Sequence, residues 1–137
     1  MGRENYMKNR FGNYDPNQGE PYYMQRIDDV SATLRSLGIG GKYHGFRYLA
    51  MGVALVIENQ DRLLNATKEI YEPIADRYRT TWYAVERNMR TALKVCWAYG
   101  NRALLFEIAG YELVTRPTNV EFLDIVAARF LLENHPG

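Results

Sequence analysis

The sequence is short of the features that mark secreted and membrane proteins. Its 137 residues include one cysteine, Cys96, which excludes an internal disulfide and suits a reducing compartment. The first residues are polar and contain no apolar segment of the signal-peptide type. No apolar run approaches the length of a membrane span. These absences predict a cytoplasmic protein that does not enter a membrane.

Groups of residues that bind metals or perform catalysis are also missing. The two histidines, His44 and His135, lie far apart in the sequence, and no Cys/His spacing of the zinc-site type is present. Cys96 falls on an apolar helix face, which is typical of a buried thiol rather than of a nucleophile. We therefore predict that the protein is not an enzyme and uses no metal, cofactor or small-molecule substrate.

A strong excess of one charge is absent from the whole chain but not from its middle. The formal net charge is +1, so affinity for phosphate requires local clustering. Residues 77–102 hold six basic residues against Glu86 alone, a net charge of +5 that leaves −4 for the remainder. A positive face on an otherwise acidic domain is typical of a polyanion site. The alternative is a solvated helix face, which would suffice to explain a basic helix alone.

Strand patterns are lacking, and the apolar residues recur at helical spacing. Residues 1–23 are rich in Asn, Gly, Pro and Tyr and predict a flexible leader, so residues 24–137 form the domain. Helices are expected over about 24–37 and 44–58, followed by a short helical stretch that ends near 71. Further helices are expected over 73–78, 82–98, 102–109 and 118–133. The pattern predicts an all-α fold, a compact bundle of about six helices.

A helix-turn-helix is predicted at the basic segment. Thr80 and Thr81 offer N-cap oxygens between a short helix ending at Tyr78 and the helix over 82–98. Arginine pairs bidentately with guanine and glutamate accepts from the cytosine amino group, whereas a nonspecific phosphate binder would gain nothing from a glutamate. Helical periodicity places on one side Trp82, Val85, Met89, Ala92, Leu93 and Cys96, and on the other Tyr83, Glu86, Arg87, Arg90, Thr91 and Lys94.

Four stretches resemble the C-terminal effector domain of the sporulation-initiation response regulator of endospore-forming bacteria. They are GFRYL at 45–49, IYEPIADRYRTT at 70–81, VERNMRTALKVCWAYGN at 85–101 and RPTNVEFLDIVA at 116–127. They follow the family order over roughly four-fifths of the chain. The resemblance implies a bundle of about six helices that encloses a helix-turn-helix and binds short boxes of double-stranded DNA as a transcription regulator.

The resemblance also implies roles for individual residues, because the family's recognition helix reads approximately T-T-x-S-R-V-E-R-x-I-R-H. Glu86, Arg87 and Arg90 occupy its DNA-facing positions and are expected to read bases. The residues expected to contact the DNA backbone are Arg79, Thr80, Thr81, Thr91, Lys94 and Arg116.

The sequence departs from the family at two helix positions and at its N-terminus. Ala84 stands in place of an arginine that contacts a base, and Thr91 in place of a histidine near the backbone, so the family's TGTCGAA-like box is expected to change. Family members carry an N-terminal receiver domain, and here only the leader stands in its place. The expectation is a stand-alone relative with another regulatory input, rather than an excised domain, that is able to self-associate on tandem sites.

The function expected is sequence-specific transcription regulation of the sporulation-initiation effector class. The alternative is a protein-interaction module that keeps the fold and modulates a full-length regulator without reading DNA. The altered recognition helix and the aromatic leader favour the alternative, and the retained basic face argues against it. Salt-sensitive binding to duplex DNA would discriminate between them.

Overall fold

A computed structural model describes residues 22–133, which form helices joined by short turns. A 3-10 turn at Gln60–Asn65 and a π-helical turn at Thr67–Tyr71 connect the second helix to the third. The α-helices are α1 (Tyr22–Ser36), α2 (His44–Glu58), α3 (Glu72–Tyr78), α4 (Trp82–Tyr99), α5 (Arg102–Ala109) and α6 (Asn119–Glu133). No strand occurs within this range, and the all-α prediction is confirmed.

The predicted helix ends agree with the structure wherever a local signal sets them. Gly38 follows α1 with a φ of 93°, a left-handed conformation that glycine adopts without a steric penalty. The α6 N-terminus is a capping box: the backbone N–H of Glu121 donates to Thr118 Oγ1 at 3.1 Å, and the N–H of Thr118 donates to the Glu121 carboxylate at 2.8 Å. Composition is a weaker signal. Helix α1 begins at Tyr22, two residues earlier than predicted, and the rest of the predicted leader lies outside the described residues.

Helix α2 is the centre of the bundle. It is mostly apolar and is buried along almost its entire length apart from its first turn, as a helix enclosed by others must be. Helices α1, α4 and α6 pack around it. The largest fully buried side chains come from several of these elements and include Leu34, Met51, Met89 and Phe122. Within the described range, no helix combines the length and apolar character needed to cross a bilayer.

The arginine in the 3-10 turn that follows α2 is buried, and the sequence did not predict its burial. Arg62 lies in the 3-10 turn, and its guanidinium contacts the Glu58 carboxylate at 3.1 Å. It also donates to the backbone carbonyl of Glu69 at 3.0 Å, and the Glu69 carboxylate lies 3.6 Å away. These contacts compensate a charge that would otherwise be too costly to bury, and they tie the 3-10 turn to the π-helical turn.

Candidate nucleic-acid interface

Helices α3 and α4 form the helix-turn-helix, and three residues connect them. Arg79 adopts a left-handed conformation with a φ of 55°, and the N–H groups of Arg79 and Thr80 both donate to the Ala75 carbonyl. Thr81 then caps α4, because its Oγ1 accepts from the backbone N–H of Ala84 at 3.2 Å. The N-cap is therefore Thr81, and the other candidate, Thr80, serves the turn instead.

Helix α4 has one buried and one exposed face, as predicted, with one exception. Its buried residues are Val85, Met89, Ala92, Leu93 and Cys96. The exception is Trp82, which was placed on the apolar side and is 42% exposed. Trp82 is the first residue of α4. Helical periodicity predicts which side of a helix a residue lies on, but not whether other helices cover that side at the helix end. Opposite α4, Gly45 of α2 allows close contact, because a Cβ there would lie 2.2 Å from the Asn88 carbonyl oxygen.

The three predicted base-reading residues lie on or beside the exposed face of α4, and two of them are paired. Glu86 and Arg90 form an ion pair at helical i, i+4 spacing, in which Arg90 Nη1 contacts both carboxylate oxygens. Arg87 is exposed, and no carboxylate within residues 22–133 pairs with it. The face therefore presents one unpaired guanidinium and a second one that Glu86 orients.

A cleft of about 300 Å³ lies beside this ion pair. Glu86, Arg90 and Leu93 of α4 form one wall, and the segment from Arg116 to Val120 at the start of α6 forms the other. Tyr71 of the π-helical turn also lines the cleft. The cleft therefore places Arg116, one of the predicted backbone contacts, near Arg90 even though the two lie far apart in the sequence.

Asn119 ties the cleft walls together. It is buried, and its side-chain Nδ2 donates to the backbone carbonyl of Glu86 at 2.9 Å. Its Oδ1 has no hydrogen-bond partner in the described part of the chain. Burial raises the pKa of the Tyr71 phenol, as does the nearby Glu86 carboxylate, whereas a hydrogen bond with Asn119 and the Arg90 cation lower it. Asn119 of α6 thus fixes the backbone of α4 at Glu86, the residue that carries the carboxylate of the ion pair.

Sequence reasoning missed Asn119 and Tyr71 because neither carries a charge or belongs to α4. Asn119 follows the capping residue of α6, and this position gives no indication of a contact with a residue 33 positions away. Both residues lie in stretches that resemble the family, at 70–81 and 116–127. Such a resemblance does not show whether a residue serves packing or function.

The residues predicted to contact the DNA backbone lie in the turn before α4, on α4 itself and before α6. Thr80 is partly buried, whereas the other candidates are exposed: Arg79 and Thr81 in the turn, Thr91 and Lys94 on α4, and Arg116 before α6. Arg102, which contributes to the local charge, is directed elsewhere. Its guanidinium lies 4.2 Å from the centre of the Trp97 ring, and its Nε donates to the Trp97 carbonyl at 2.7 Å.

The remaining candidates for chemistry have structural roles. The Cys96 thiol is buried against the Leu37 carbonyl at 3.5 Å, and burial raises its pKa, which disfavours the thiolate that a nucleophile requires. No cluster of three or more His, Cys, Asp or Glu side chains suited to a metal ion occurs among residues 22–133. His135 lies outside the described residues.

Residues 30–130 match the family described as "Sporulation initiation factor Spo0A C terminal". The match includes α2 to α5 entirely, with the C-terminal part of α1 and most of α6, and therefore contains the whole helix-turn-helix and both walls of the cleft. The chain belongs to this family, whose C-terminal domain is a DNA-binding effector of sporulation.

Proposed function

We propose that this member of the family is a sequence-specific transcription regulator that reads duplex DNA with α4 in the major groove. The observation that carries the proposal is the two-sided character of α4. One side is fixed in the core, and the opposite side presents basic residues to solvent directly after a tight turn. A recognition helix needs both properties, because a rigid support positions the side chains that meet base edges.

In this proposal Arg87 and Arg90 donate to guanine, and Glu86 accepts from a cytosine amino group or orients Arg90. The existing ion pair supports the second role for Glu86. An arginine held by a carboxylate loses less side-chain entropy on binding than a free one, and guanine then competes for the same donors. The interaction stays exchangeable because exposed ion pairs are weak.

Backbone contacts are proposed for Arg79, Thr80, Thr81, Thr91, Lys94 and Arg116. Thr81 illustrates that capping and DNA contact are compatible. Its Oγ1 accepts from the helix N–H of Ala84, which leaves the hydroxyl hydrogen available to donate to a phosphate. Arg116 stands across the cleft from α4, where it would extend the footprint beyond the recognition helix.

The test combines selection of bound sequences from random duplex DNA with a salt titration of the selected box. We expect a defined box and a log–log dependence of affinity on salt with a slope of about −0.9 for each neutralised phosphate. Arg87→Ala should relax the preference at one base pair, whereas Arg116→Ala should weaken all sequences alike and reduce the slope by about one.

The matched control is Arg129→Ala. Arg129 is also paired with a glutamate at i, i+4 spacing, but it lies on α6 in a groove shared with α1 and α5. The Arg129→Ala variant should select the same DNA box as the wild type and show the same salt slope. Salt-insensitive or absent DNA binding by the folded wild-type chain would contradict the proposal and favour the protein-interaction module.

A further inference from the structure

Two large aromatic side chains stand in solvent at the start of α4. Trp82 is 42% exposed and Tyr83 is 57% exposed. Neither belongs to the buried core, which other apolar residues fill. Their rings meet edge to face, with centroids 5.7 Å apart and an interplanar angle of 86°. Neither aromatic ring is needed to complete the core, so their place at the end of the recognition helix calls for a separate explanation.

Tyr83 belongs to the same stripe as the predicted DNA contacts. Successive members of the series Tyr83, Arg87, Arg90 and Lys94 are four, three and four residues apart, which places all four side chains on one side of a helix. All four are exposed, whereas Val85 lies on the buried face. Tyr83 therefore extends the basic stripe by one turn toward the N-terminus of α4, the end where recognition helices usually meet base edges.

At this end of the helix Tyr83 is the side chain best suited to direct readout. Ala84 has only a short methyl group and is half-buried, whereas Tyr83 is exposed, and the Thr81 oxygen is engaged in capping α4. A tyrosine ring is an apolar surface with a hydroxyl at its tip. In the major groove the complementary apolar feature is the 5-methyl group of thymine, which the other three bases lack. The Trp82 ring packs against the Tyr83 ring, with the two ring planes nearly perpendicular.

We propose that Tyr83 is a specificity-determining residue whose ring contacts a thymine 5-methyl group beside the bases read by Arg87 and Arg90. The inference rests on the proposed DNA-reading function and deepens it, because it assigns an apolar contact to one end of a polar reading face. It also gives the N-terminal turn of α4 a base to read although Ala84 cannot donate a hydrogen bond.

The experiment replaces each thymine of the selected box with deoxyuridine, one position at a time, and measures affinity for the whole chain. Deoxyuridine lacks only the methyl group, so base pairing and backbone charge are unchanged. For the wild type, one position should weaken binding about fourfold, the factor that corresponds to burial of one methyl group. Tyr83→Ala should bind both versions of the box equally, and Tyr83→Phe should retain the deoxyuridine response.

The matched control is Tyr99→Ala, which removes an exposed tyrosine from the opposite end of the same helix and should keep the wild-type response. The inference is overturned if Tyr83→Ala still responds to deoxyuridine at the same position, or if it weakens random and selected duplexes alike. Either result would leave the proposed function standing, since the wild type would still select a box. A wild-type chain that selects no box would refute both.

Discussion

In two ion pairs of the described residues a glutamate is joined to the arginine four positions after it, and the surroundings of the two pairs are opposite. In the pair behind α2, the Glu58 and Arg62 side chains are each 7% exposed. In the pair on α4, Glu86 is 25% exposed and Arg90 48% exposed. The same spacing and the same residue types thus produce one pair excluded from water and one beside an open cleft.

The difference determines what each pair can do. Breaking a buried ion pair is costly because a charge then stays in a medium of low polarity, so Arg62 and Glu58 serve the fold. Water screens the exposed pair, which contributes little to stability and can exchange one partner for another. A residue that must bind DNA needs the second environment, whereas a residue that fixes two consecutive turns needs the first.

The largest expected effect comes from breaking the buried pair. Arg62→Ala should lower the free energy of unfolding by about 3–5 kcal/mol, because it removes a buried guanidinium that pairs with the Glu58 carboxylate and bonds to the Glu69 carbonyl. A urea titration measures this change. The control is Arg129→Ala, which removes a half-exposed arginine from an i, i+4 pair with Glu133 and should cost less than about 1 kcal/mol. Equal costs for the two variants would show that burial does not distinguish the pairs.

Breaking the exposed pair should have the opposite profile. Arg90→Ala should change the free energy of unfolding by less than about 1 kcal/mol and remove about 1–3 kcal/mol of discrimination at one base pair. Chemical denaturation and competition binding with single-base variants of the selected box give the two numbers. If affinity instead falls equally for all sequences, Arg90 contacts phosphate and its base-reading role is wrong.

The turn before α4 sharpens the comparison, because there an exposed arginine lies in a backbone conformation that costs stability. Arg79→Gly should relieve the left-handed strain and raise the free energy of unfolding by roughly 0.5–1 kcal/mol, while it reduces the salt slope of DNA binding by about one. Thermal melts and salt titrations measure the two effects. Arg77→Gly, in the last turn of α3, should instead destabilise by about 1 kcal/mol. A loss of stability in both variants would contradict the assignment of strain to position 79.

The smallest effect concerns a third glutamate, which bonds to backbone rather than to arginine. Hydrogen bonds from the Thr118 backbone and side chain lower the pKa of Glu121. Its stabilising contribution is therefore complete above the pKa of the unfolded chain and is lost as pH falls through the lower pKa of the folded chain. Glu121→Gln should melt slightly lower than wild type near neutral pH, and the difference should vanish in acid. Asp124→Asn serves as the control on the same helix, and a difference that persists in acid would contradict the account.

The helices and their ends could be predicted because short-range interactions set them. The capping box at Thr118 and the stop at Gly38 each depend on residues within a few positions, so the sequence displays both partners. The same holds for the two faces of α4, since periodicity follows from helix geometry alone. The candidate reading residues Glu86, Arg87 and Arg90 were accessible for this reason, although their roles remain predictions.

By itself, the sequence determined the all-α class, the helix-turn-helix, the basic face and the family. Only the tertiary structure decided which charges are buried and which side chains support the site. In the folded chain Arg62 is buried, Trp82 is exposed to solvent, and Asn119 bonds to the backbone of Glu86, which lies 33 residues away in the sequence. The physical reason is range: a helix is closed by hydrogen bonds four residues apart, whereas burial depends on elements that meet only after the chain has folded.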